Sequence, residues 1–85
     1  MKVKVELFGA ARDFSDQNLL ELDLKQQSTI KDIRKKIIQY LEKKFNGNEN
    51  YKKIVNSSAF CSEKNNIVSD NYKITNNEKI SIIPP

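Results

Sequence analysis

Lys2-Val-Lys-Val-Glu-Leu-Phe8 alternates without a break, with Val3, Val5 and Leu7 on one side and Lys2, Lys4, Glu6 and Phe8 on the other. A period of two is that of a strand buried on one face only. Gly9 to Asp16 interrupts it with Gly, Ala, Arg, Asp and Ser and reads as a loop. Alternation resumes at Leu20, Leu22 and Leu24 around Glu21 and Asp23, a second strand. Two strands this close in the chain most simply pair as an antiparallel hairpin with a long connection.

The period then changes. At about 100° per residue, Ile30, Ile33, Ile37, Ile38, Tyr40, Leu41 and Phe45 fall within one arc of about 160°. Lys31, Asp32, Lys35, Lys36, Gln39, Glu42 and Lys43 fill the opposite side. The spacing predicts a helix over Thr29–Phe45. Thr29 opens it, Asp32 suits the positive end of the dipole, and Asn46-Gly47 closes it. Arg34 lies inside the apolar arc and is expected to run its stem along the edge toward water.

Beyond the helix the pattern weakens. Tyr51, Ile54 and Val55 fit either a short helical turn or an extended edge. Ser58-Ala-Phe-Cys-Ser62 reads as a strand, Asn65-Asn66 as a turn, Ile67-Val68 as a brief extension and Asn76-Asn77 as a second turn. Lys79-Ile-Ser-Ile-Ile83 is the last strand, with Ile80 and Ile82 on one face. Pro84-Pro85 cannot donate ladder hydrogen bonds, so pairing stops and a stiff tail begins there. A hairpin, a helix and a final strand make an α+β fold of the ubiquitin-like β-grasp plan, a mixed sheet with one main helix packed across it. Residues 1–85 form one domain. Its first and last strands, Lys2–Phe8 and Lys79–Ile83, are expected to be parallel neighbours.

Composition removes chemistry rather than adding it. Among 85 residues there is no histidine and no tryptophan, which excludes His-based triads, bases and metal ligands. The single Cys61 allows no internal disulfide and reads as a small half-buried side chain. Asp13 and Asp16 share a loop but have no identifiable catalytic partner. Net charge is +4, yet only Arg12 and Arg34 among the fifteen basic residues are Arg, which argues against bidentate nucleic-acid readout. Lys35-Lys36, Lys43-Lys44 and Lys52-Lys53 read as solvated faces, and the many Lys, Asn and Ile as a bias spread along the chain. No apolar run approaches a membrane span, and Met1–Lys4 is strand-like rather than a signal peptide. The expectation is a small cytoplasmic domain without catalysis, cofactor or metal of its own.

Two features stand out from that background. Phe8 lies in the outward phase of its strand beside Arg12, where it either offers a contact surface or covers a sheet edge. The chain also ends by running a strand into Pro-Pro, a pair that holds the emerging backbone extended.

Leu7-Phe-Gly-Ala-Ala-Arg-Asp13, the helix start Ser28-Thr-Ile30, Ser69-Asp-Asn-Tyr72 and the ending Ile82-Ile-Pro-Pro85 together resemble the small, sulfur-carrying subunit of molybdopterin synthase. The resemblance spans essentially the whole chain. The thiamine-pathway sulfur carrier is usually shorter and lacks the first-strand motif and the Pro-Pro ending. The resemblance implies a tail ending in Gly-Gly, whose carboxylate a ubiquitin-activating-type enzyme adenylates with ATP before its conversion to a thiocarboxylate. It implies insertion of that tail into a large catalytic subunit, in a heterotetramer, where the sulfur passes to cyclic pyranopterin monophosphate. By matching positions, Phe8, Arg12, Ile67 and Ile83 would flank the tail that begins at Pro84 and Pro85 and contact both partners. No catalytic residue is expected within 1–85, and the Gly-Gly itself is absent from these residues. The expectation is therefore a native product that continues past Pro85. A β-grasp module that binds protein or RNA without carrying sulfur is the competing class.

Overall fold

In the computed structural model, which describes residues 1–85, the sheet has five strands in the order β2-β1-β5-β3-β4. The strands are β1 (Lys2–Leu7), β2 (Leu19–Asp23), β3 (Ala59–Cys61), β4 (Ile67–Val68) and β5 (Lys79–Ile83). β1 pairs antiparallel with β2 and parallel with β5, and β3 pairs antiparallel with both β5 and β4. The expected parallel neighbours are thus at the centre of the sheet. This is the β-grasp arrangement, with α1 (Ile30–Phe45) packed across one face.

Register explains the core. Val5 stands opposite Leu20 on one side and Ile80 on the other, and Ile82 lies between Leu7 and Phe60. One alternating set from each strand therefore points the same way. Val3, Val5, Ile80, Ile82 and Phe60 are fully buried, as are Ile30, Ile33 and Ile37 facing them from α1. Burying side chains of this size contributes about 1.5–3 kcal/mol each. Thr29 is the cap rather than the first helical residue. Its amide and hydroxyl both donate to the Asp32 carboxylate, at 2.8 and 3.2 Å. Asn46, with φ 58°, ends α1 in the left-handed conformation.

Several expectations need correction. Gly9–Asp16 is not an open loop: Gly9–Phe14 forms a 3-10 helix that buries Ala11 and Phe14. Those two residues are three apart, the repeat of a 3-10 turn, so both fall on its inner side. β1 stops at Leu7, because Phe8 caps that turn and Gly9 has φ +53°. β3 is three residues long, flanked by Ser58 and Ser62. The ambiguous segment is a helix, α2 (Glu49–Ser57), capped by Asn48, whose side chain accepts from the Tyr51 amide at 3.2 Å. Tyr51 then stands edge-on to Phe14 and Phe45, with ring centroids 5.3 and 4.9 Å apart. The asparagines are also more than a bias. Asn18, Asn46, Asn65 and Asn77 all hold positive φ, a conformation Asn tolerates better than most residues.

Arg34 does not reach for water. Its guanidinium donates to the Val55 carbonyl at 2.6 Å and to Asp70 Oδ1 at 3.0 Å, and it stacks 4.7 Å from the Phe60 ring centre. One cation thus ties α1 to α2, β3 and the segment after β4. A second clasp forms around Glu78, which is only 4% exposed. Its carboxylate accepts from the Tyr72 hydroxyl at 2.8 Å, the Thr75 amide at 3.0 Å, the Thr75 hydroxyl at 3.1 Å and the Glu63 amide at 3.3 Å. Burial pushes its carboxyl up, but these hydrogen bonds outweigh burial and hold it below its ordinary value. Carbonyls of Tyr72 and Asp70 in turn accept from Ile30 and Lys31, two first-turn amides of α1 that have no partner within the helix. No helix of the protein is long and apolar enough to cross a membrane.

Candidate docking face and tail exit

The strands that bury one set of side chains beneath α1 must turn the other set outward. That open face carries Lys4, Glu6 and then Phe8 from β1 and its end, Lys79, Ser81 and Ile83 from β5, Ala59 and Cys61 from β3, and Ile67 from β4. It divides across its middle. Toward the start of β1 it is charged, with Lys2 paired to Asp23 at 3.9 Å and Lys79 paired to Glu6 at 3.0 Å. Toward the end of β1 it is apolar.

The apolar half is where the chain leaves the sheet. Ile82 is the register partner of Leu7, so the next residues, Phe8 and Ile83, lie side by side. Ile83 faces Ala59 on its other flank. Pro84 passes over Gly9, where a Cβ would stand 3.8 Å from the proline ring. The positive φ accounts for glycine here, since a Cβ would meet the proline ring at an ordinary contact distance. Phe8 is half-buried, and Ile67 and Ile83 are the exposed large hydrophobics of the protein, at 76% and 37%.

The sequence-predicted residues therefore separate into two groups. Phe8, Ile83 and Pro84 are contiguous, Pro85 is exposed just beyond them, and Arg12 shares with Phe8 an open groove of about 490 Å³ between β1 and the chain leading into β2. Ile67 is on the same face but at its far rim. It pairs with Cys61, which pairs with Ser81, so about 10 Å of sheet separates Ile67 from the β5 row. Sequence reasoning did not single out Lys4, Leu19, Ala59 or Ser81. Outward phase marks each, but only the register shows that Ala59 and Ser81 lie beside Ile83 and Leu19 beside Glu6, with Lys4 opposite Lys79 in the charged half.

Nothing on this face forms a constellation for covalent chemistry. No three residues of the His, Cys, Asp and Glu types are grouped so as to hold a metal ion. Cys61 is half-buried and free. The arrangement offers an apolar platform, a rim of charge and a stiff exit for the chain.

No protein-family model and no curated protein sequence matches the chain. Solved structures do. SAMP1 from Haloferax volcanii superposes with a TM-score of 0.72 at 11% identity, over 100% of this chain and 96% of that one. A second structure of that protein, described as small archaeal modifier protein 1, gives 0.71 at 11% identity over 99% and 97%. A Pyrococcus furiosus protein assigned as molybdopterin converting factor, subunit 1, gives 0.73 at 19% identity over 99% and 97%. These likenesses establish the ubiquitin-like β-grasp fold over the whole chain.

Proposed function

We propose that this protein is a ubiquitin-like sulfur carrier, non-catalytic by itself, that serves as the small subunit of a molybdopterin synthase. The observation that carries the reading is the coincidence of two features at one end of the sheet. The exposed apolar half of the open face and the Pro84 exit lie side by side. A carrier needs both, because its partner must grip the domain while receiving its tail. A neighbour with this fold being named as a molybdopterin converting factor subunit supports the choice of pathway.

The chemistry belongs to the tail and the partners. A terminal carboxylate attacks the α-phosphate of ATP and releases pyrophosphate. Sulfide then attacks the acyl carbon, breaking its bond to the phosphate oxygen and releasing AMP, which leaves a thiocarboxylate. The terminal residues must be narrow enough to enter a partner's channel, so the reading calls for Gly-Gly following Pro85. Phe8, Ile83 and Pro84 would form the centre of the contact, with Arg12 and Ile67 on its rim. The large synthase subunit and the adenylating enzyme would use the same face in turn.

The test is an intact-mass measurement on the native chain, incubated with its adenylating enzyme, ATP and a sulfide source. A mass gain of one oxygen-for-sulfur exchange at a C-terminal Gly is expected. A native chain that does not end in Gly, or that forms no adenylate, would overturn the carrier role. Phe8→Ala is expected to weaken binding to the large subunit about thirtyfold, the loss of about 2 kcal/mol typical of an aromatic anchor. A second reading, a modifier joined to other proteins, is favoured by the name of the Haloferax neighbour. It predicts higher-mass conjugates that the synthase reading does not.

A further inference from the structure

The open face is electrically lopsided about Phe8. On the β2 side, the groove of about 490 Å³ carries Lys4, Arg12 and Lys79 against Glu6 alone. On the β3 side, a groove of about 410 Å³ carries Glu6 and Glu63 against Lys79 alone. Glu6 neutralises Lys79 at 3.0 Å, whereas Lys4 and Arg12 take part in none of the ion pairs of the protein. Lys4 is also awkwardly placed. It stands directly opposite Lys79 in the parallel ladder, and its antiparallel register partner Glu21 does not come within ion-pair distance. Like charges facing each other across strands are destabilising. Within the fold Lys4 makes no ion pair, and its charge is left facing the groove.

We propose that Lys4 and Arg12 select an acidic partner: a segment with carboxylates beside an apolar side chain, the carboxylates seated in the β2-side groove and the apolar group on Phe8 and Ile83. This rests on the docking face described above and adds the partner's chemistry and its orientation. Because the second groove is net acidic, a carboxylate is attracted on one side of Phe8 and repelled on the other, so charge fixes which way the partner lies. Contacts between rim charges act mainly on association rate and specificity. Lys4 and Arg12 are therefore specificity-determining residues, and Phe8 supplies the affinity.

The experiment is an amide chemical-shift titration of the full chain with two synthetic peptides. In one, a Leu-Phe pair is flanked by aspartates; in the other, asparagines replace them. The aspartate peptide is expected to shift the amides around Lys4, Phe8 and Arg12 and to bind about tenfold more tightly, a preference that fades with salt. The combined Lys4→Gln and Arg12→Gln variant should erase that preference. Equal binding of the two peptides, shifts confined to other surfaces, or no shift at all would overturn the proposal. Lys4→Gln alone supplies a second readout. Removing the like-charge pair should raise the unfolding midpoint by about 1–4 °C while weakening the aspartate peptide. A loss of stability instead would assign Lys4 to the fold and sink the inference. The mass measurement on the tail decides the carrier role separately, so failure of one leaves the other standing.

Discussion

Residues 1–45 and 46–78 are held in place by different physics. The first stretch is a hairpin and a long helix whose apolar residues recur at periods of two and 3.6, so that every turn adds another group to a shared core. The second contains one nine-residue helix, two short strands and long turns, and much of it is fixed at two points, Arg34 and Glu78. Distributed burial tolerates the loss of any one contact better than a clasp does locally, yet each buried side chain contributes more to the whole. The difference makes the first region the denser part of the core, while the second adds Val55, Phe60 and Ile74 to it and depends on its two clasps for the rest.

The largest effect is expected at the core. Ile37→Ala, at a fully buried position, should lower unfolding free energy by about 2–5 kcal/mol in a denaturant titration. Arg34→Ala should cost about 1.5–3 kcal/mol, chiefly for the bond to the Val55 carbonyl, since Asp70 is half exposed and that ion pair is worth less. Hydrogen exchange should then quicken at the end of α2 and around Asp70 while β1 and β2 stay protected. If instead the whole molecule exchanged faster, the two regions would not be separable.

Glu78 sharpens the comparison through pH. Its folded carboxyl titrates below the ordinary value of 4.5, so its stabilisation is fully present above that value and is lost as pH falls through the folded one. Glu78→Gln should cost about 1–3 kcal/mol near neutrality and flatten the acid limb of the stability profile. Gly9→Ala should cost about 1–2 kcal/mol, from a side chain forced into positive φ rather than from crowding, because its Cβ would meet Pro84 at an ordinary contact distance. Phe8→Ala is the smallest, within about 1 kcal/mol on stability, since the ring is half-buried on the open face. Under the proposed function its larger effect is on binding to the large subunit.

The same contrast decides what was legible in the sequence. Alternation at Val3, Val5 and Leu7 and the arc from Ile30 to Phe45 led directly to β1, α1 and the sheet they cover, because periodic burial is written locally. Phe8 and Ile83 were legible as outward residues for the same reason. Arg34 was misjudged: helical geometry places it in the apolar arc but cannot reveal a carbonyl 21 residues later in the chain that receives it. Glu78 was missed because its partners at Glu63, Tyr72 and Thr75 gather only once the turns have closed. The 3-10 helix was hidden by loop-like composition, although the spacing of Ala11 and Phe14 held the signal. The charge imbalance around Phe8 depends on register, which alternation alone does not supply.

The position of β5 has a consequence for how the protein folds. It comes last in sequence among the five strands, yet it occupies the middle of the sheet between β1 and β3. Until it inserts, the β1–β2 and β3–β4 hairpins are two fragments with unpaired edges and half a core between them. The ladder that joins them links residues more than seventy positions apart, such as Val5 and Ile80, so the sheet closes only once its most distant strands have met. The backbone beyond Ile83 is therefore presented from a fixed exit only by molecules whose centre has already closed. Without β5 in place, neither the apolar half of the open face nor the approach of Pro84 to Gly9 can form, so both depend on completion of the sheet.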